Sequence, residues 1–142
     1  MSYDLALFDP ALCPNDRDEF LEWFRIETTW SGGLDYNDPS NLPSSLLPVF
    51  NELIKTFPPI NGPSKTDGDE LIKTDYCCSN ALIYAGFRWS ESKTAYNLLQ
   101  TLAAEFECGF FDVSSIGSAI WIPDGGCGLL KHSQSKPWWK MW

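Results

Sequence analysis

The stretch from Asn80 to Val113 constrains this chain most, because it reads as strand, helix, strand with almost no slack between them. Leu82 to Phe87 is an unbroken apolar and aromatic run, long enough for one strand and apolar on both of its faces. Ala95, Leu98, Leu99, Leu102, Ala103 and Phe106 then recur at helical spacing and form the cleanest stripe in the sequence. Ser90 is placed to cap that helix, and Cys108-Gly109 to end it, with Gly109 in the left-handed position. Phe110 to Val113 resumes an extended segment.

The rest of the chain supplies elements to pack against this unit. Tyr3 to Phe8 alternates as a first strand, with Tyr3, Leu5 and Leu7 on one side and Asp4, Ala6 and Phe8 on the other. Asn15 or Asp16 opens a helix running to about Thr28, whose inner face carries Phe20, Trp23 and Phe24. Leu46, Phe50, Leu53, Ile54 and Phe57 mark a second helix from about Ser44 to Phe57, with Pro48 in its first turn, where a missing N–H costs little. A short strand is expected within Leu71 to Cys78, and a last one at Ala119 to Pro123.

The element order predicts an α+β fold with a four- to five-stranded mixed or antiparallel sheet. About three helices are expected on one face, and the core order βαββαβ suggests a ferredoxin-like sandwich. At 142 residues, with 44% hydrophobic content, the chain reads as one domain over residues 1–130 followed by a basic, Trp-rich tail over 131–142. That tail holds Lys131, Lys136 and Lys140 with Trp138, Trp139 and Trp142. Packing back onto the domain is its expected role, and contact with a partner or membrane surface is the alternative.

Charge narrows the function. The net charge of −9 comes from 19 acids and 10 bases, which argues against a nucleic-acid binder, since such a protein normally presents a basic face. It favours instead a soluble body that steers a basic protein partner towards itself. No apolar run approaches the ~20 residues of a membrane span, and the first residues lack the basic start of a signal peptide, so a cytoplasmic protein is expected. The 5 cysteines include no CxxC pair, and the adjacent Cys77 and Cys78 are poor metal ligands, so free thiols and no cofactor or metal are expected.

Catalytic motifs are missing from the sequence. There is no GxGxxG, P-loop, HExxH or GxSxG, and the only histidine, His132, lies in the polar tail. Two polar loops stand out instead. The first, around Trp30 to Pro39, sets Trp30 and Tyr36 beside Asp35 and Asp38. The second holds Asp67, Asp69 and Glu70. Aromatic anchors among carboxylates suit a basic protein partner, since Trp and Tyr dominate binding hot spots. The bland alternatives are that Trp30 plugs the edge of the core and that the acids form solvated loops. Asp18 and Glu22, on the outer face of the first helix, are a second-choice acidic surface.

Six segments together resemble a family of small, largely uncharacterised bacterial cytosolic proteins. They are Tyr3 to Pro10 (YDLALFDP), Thr56 to Pro63 (TFPPINGP), Thr74 to Tyr76 (TDY), Leu82 to Ser90 (LIYAGFRWS), Gly109 to Ser114 (GFFDVS) and Ile120 to Gly125 (IWIPDG). The likeness brings no catalytic residues with it. By analogy of size and character it implies an immunity protein that neutralises a cognate antibacterial toxin. The partner-binding set expected from the two loops is Trp30, Asp35, Tyr36, Asp38, Asp67, Asp69 and Glu70. The alternatives are a small enzyme using carboxylates or cysteine, and a non-catalytic ferredoxin-like regulatory module that self-associates through its sheet.

Overall fold

The structure is a computed structural model that describes residues 2–60, 72–123 and, as backbone, 129–131. Six strands form one antiparallel sheet in the order β2-β3-β1-β4-β5-β6. They are β1 (Tyr3–Phe8), β2 (Asp75–Cys78), β3 (Leu82–Phe87), β4 (Gly109–Phe111), β5 (Ile120–Pro123) and β6 (Leu129–Lys131). Three α-helices accompany them: α1 (Arg17–Glu27), α2 (Leu47–Thr56) and α3 (Ser92–Phe106). The fold is α+β, and β1, α2, β2, β3, α3 and β4 follow the β-α-β-β-α-β order. Strand β6 carries the sheet to Lys131, onto the first residue of the expected tail, and the remaining tail lies outside the described residues.

The helices do not share one face, contrary to the sequence expectation. Helices α2 and α3 cover one side of the sheet, where Val49, Phe50, Leu53, Leu99 and Leu102 meet Leu5, Leu7, Ile83, Ala85 and Phe110. Helix α1 covers the opposite side, where Phe20 and Phe24 meet Ala6, Phe8, Leu82, Phe111 and Ile120. The physical reason is visible in β1: Leu5, Ala6, Leu7 and Phe8 are all buried, so both sides of the central strand exclude water. One layer of helices could not have covered both.

Register keeps the two cores separate. Leu5 faces Ala85 and Leu7 faces Ile83 on the α2/α3 side, while Ala6 faces Tyr84 and Phe8 faces Leu82 on the α1 side. A slip of one residue would exchange the two sets.

Local chemistry sets the helix ends. The Asp16 side chain accepts from the Glu19 N–H at 3.0 Å and caps α1, a contact worth ~1 kcal/mol. Arg17 then ties the start of α1 to the turn after β4, donating to the Gly117 and Ser118 carbonyls at 2.8 and 3.1 Å. Pro48 falls in the first turn of α2, as its missing N–H requires. The C-cap of α3 departs from expectation. Glu107, at φ 54°, takes the left-handed position, and Gly109 already belongs to β4. Gly109 is needed there for space, since a Cβ on it would stand 2.2 Å from the Phe8 ring.

The outer edge of β2 is occupied at both ends. Thr74 exchanges backbone bonds with Pro58 and Ile60 at 2.9 Å, and the Cys78 N–H donates to the Tyr36 carbonyl at 2.7 Å. Loop backbone thus takes up edge groups that could otherwise recruit another strand.

Candidate functional site

The acidic, aromatic loop after α1 is built onto the α1 side of the sheet. Helix α1 ends with Thr28 donating its N–H to the Phe24 carbonyl, and its hydroxyl donates to the same oxygen at 2.8 Å. The chain then reverses at Trp30, held at φ 55°. A bulky residue in this region carries strain of about 1–3 kcal/mol, which the ring's contacts must offset. Those contacts are aromatic: Trp30 lies 5.1 Å from Tyr36 and 5.7 Å, edge-on, from Tyr84. Trp30 is half-buried against the Phe20–Phe111 cluster, so its main work is to close the core where α1 stops.

Tyr36 is fixed from both ends. Its hydroxyl accepts the Gly32 N–H at 2.8 Å, and its carbonyl accepts the Cys78 N–H. Gly32 must be glycine for this approach, because a Cβ there would lie 2.7 Å from the Tyr36 hydroxyl. Asn41 adds a clamp, its side-chain amide donating to the Asp35 carbonyl at 2.7 Å and to the Cys78 carbonyl at 3.1 Å. A loop of turn-forming residues is thereby docked on β2.

The two loop carboxylates take local duties. Asp35 accepts the Asn37 N–H at 3.1 Å, and Asp38 accepts the Ser40 N–H at 2.9 Å. That backbone bond holds the Asp38 carboxyl below its usual range, so it stays ionised at neutral pH. Asp35 remains exposed and Asp38 half-exposed. The loop therefore presents two fixed negative charges. Asp67, Asp69 and Glu70 lie outside the described residues. On α1, the Glu22 carboxylate is taken by Arg25 through bonds of 2.6 and 3.1 Å, which lower its pKa.

A groove of about 270 Å³ opens beside this loop, lined by Leu12, Trp23, Glu27, Leu34, Tyr36 and Ser79 among others. Four separate segments contribute, so no local motif in the sequence marked it. Leu12 and Leu34 are 48% and 37% exposed, large for aliphatic side chains, and both stand on its wall. Glu27 is its charged residue, and neither ion pair among the described residues involves it.

Two further groups escaped the sequence reading. Asp4, on the α1 side of β1, receives hydrogen bonds from the Ser2 and Tyr84 hydroxyls. Tyr84 is the partly buried aromatic that Trp30 covers, and burial followed by the Asp4 bond pushes its hydroxyl pKa up. Asp112, just past β4, is only 9% exposed, and its Oδ1 has no hydrogen-bond partner. Burial raises its carboxyl pKa, partly countered by the Ser115 backbone bond. It would have been recognisable in the sequence only as the one acid flanked by Phe110, Phe111 and Val113.

Cys77 and Cys78, adjacent on β2, are not set up as nucleophiles. Burial pushes the Cys77 thiol up to about 11 and the Cys78 thiol up to about 12, the reverse of an activated thiolate. Cys13, Cys77, Cys78 and Cys108 are free thiols. Among the described residues no cluster of His, Cys, Asp or Glu could hold a metal ion, and no helix is long and apolar enough to cross a membrane. Comparison with protein-family models, curated proteins and solved structures finds no match to the chain.

Proposed function

We propose that this protein is an immunity protein, one that binds a cognate antibacterial toxin in the cytoplasm and neutralises it by covering a basic active-site region. The observation that carries this reading is the docked acidic loop: Asp35 and Asp38 are held by backbone bonds beside Tyr36. A pre-formed surface of this kind loses little conformational entropy on binding. The net charge of −9 adds steering towards a basic partner and suppresses contact with nucleic acid.

The enzyme reading draws its support from Asp112, a buried carboxyl of raised pKa beside aromatic residues. The raised thiol pKa values of Cys77 and Cys78 weigh against cysteine chemistry at that pair.

The test is to read the neighbouring gene and, where it encodes a large protein, to co-express that protein with this chain. The proposal expects that protein to be toxic alone and harmless together with this chain. It also expects Asp35→Lys to slow association several-fold at low salt, with the difference shrinking as salt rises. Toxicity undiminished by this chain would remove the proposal. An on-rate indifferent to Asp35→Lys would remove the loop from it.

A further inference from the structure

We infer that the groove between α1, the 31–36 loop and the β2–β3 turn seats an arginine and a neighbouring aliphatic side chain from a loop of the protein partner. The inference rests on the binding reading above and says which surface does the reading and what it reads.

Size comes first. A groove of about 270 Å³ is too small for a helix or a strand and holds one or two side chains. Shape and polarity follow. Its walls include Leu12 and Leu34, both exposed among the described residues, together with Trp23 and Tyr36. Such a surface suits an aliphatic side chain and the flat face of a guanidinium, which stacks on aromatic rings as an ammonium does not.

Charge then selects the cation. Glu27 lines the groove and takes part in neither ion pair among the described residues. The adjoining loop adds Asp35 and Asp38, and both bases of α1 are engaged elsewhere, Arg17 with the Gly117 and Ser118 carbonyls and Arg25 with Glu22. The field inside the groove is therefore negative, and a carboxylate at its wall offers an arginine the paired acceptor that its planar fork requires.

The walls are also held in place. Trp23 packs 5.4 Å from the buried Phe20, and Tyr36 is fixed by Gly32 and Cys78. The Tyr36 hydroxyl accepts from Gly32, which leaves its own proton available to donate to a carbonyl of the incoming loop.

The probe is the peptide acetyl-Gly-Arg-Leu-Gly-amide, titrated into the full-length protein and followed by the Gly32 backbone N–H and the Trp23 indole N–H. The expected result is saturable shifts at both, none with acetyl-Gly-Glu-Leu-Gly-amide, and binding weakened roughly three- to fivefold in Glu27→Gln and abolished in Glu27→Lys. Leu34→Ser, an exposed loop change that leaves the core intact, is expected to weaken binding independently of charge. Equal shifts from both peptides, shifts away from the groove, or unchanged binding in Glu27→Lys would overturn the inference. The two claims separate cleanly. Toxin neutralisation retained in Glu27→Lys would remove the groove and leave the immunity reading. A peptide that binds this groove in a protein that neutralises nothing would do the reverse.

Discussion

The two faces of the sheet are built differently, and the difference is what singles out the α1 side as the candidate surface. On the α2/α3 side two helices lie together over Leu5, Leu7, Ile83 and Ala85, and the cover is largely aliphatic. On the α1 side a single helix covers Ala6, Phe8, Leu82 and Phe111, and its contacts are aromatic. Phe20 alone stands within 6.2 Å of Phe8, Trp23, Phe24 and Phe111. One helix is too narrow for a six-stranded sheet. The shortfall is made up by the 30–41 loop, whose Trp30 and Tyr36 extend the cover over Tyr84. A face completed by a loop brings polar backbone, exposed carboxylates and a groove to its seam. Binding residues sit on loops positioned by a rigid scaffold for this reason.

Core truncation gives the largest effect that could break the comparison. Phe20→Ala and Leu99→Ala each remove a buried side chain, 2% and 0% exposed, and each is expected to cost about 3–5 kcal/mol in chemical denaturation. Only Phe20→Ala should also loosen the groove, because Trp23 rests on Phe20. Faster amide exchange at Gly32 and Tyr36 in Phe20→Ala, with no change there in Leu99→Ala, is the expected pattern. The same acceleration in both variants would mean that the faces are not independent.

A smaller effect is expected at Asp112, and it is pH-dependent. Its carboxyl pKa is raised in the folded protein by burial. The unfolded chain therefore releases this proton at lower pH than the native state does, and stability falls as pH rises from the ordinary carboxylate range through the raised value. Asp112→Asn removes that dependence while keeping the shape. Thermal melts are expected to show no gain near pH 3 and a gain of roughly 1–3 °C at pH 7. A loss at pH 7 would show that the fold stabilises the ionised carboxylate, and would remove the raised pKa on which the enzyme reading rests.

The sequence made the scaffold legible and the site only partly so. Leu82–Phe87 is the expected strand residue for residue, and α3 follows its stripe through Phe106, because uninterrupted periodicity leaves the backbone little choice. The two-sided cover was also written there, in the apolar residues on both faces of β1 and β3. Helix count and helix placement are separate questions, however, and α1 and α2, adjacent in sequence, go to opposite sides. Trp30 and Tyr36 were legible as unusual loop aromatics, but not their pairing over Tyr84, which needs the β3 register. The groove was not legible, since Leu12, Glu27, Leu34 and Ser79 meet only through the tertiary fold.

Hydrogen–deuterium exchange of the protein with and without the partner proposed above, a basic protein toxin, tests the central claim most directly. The account predicts protection in residues 31–41, the second half of α1 and the Ser79–Ala81 turn, with α2 and the outer side of α3 unchanged. Protection confined to α2 and α3, or none on the α1 side, would contradict it.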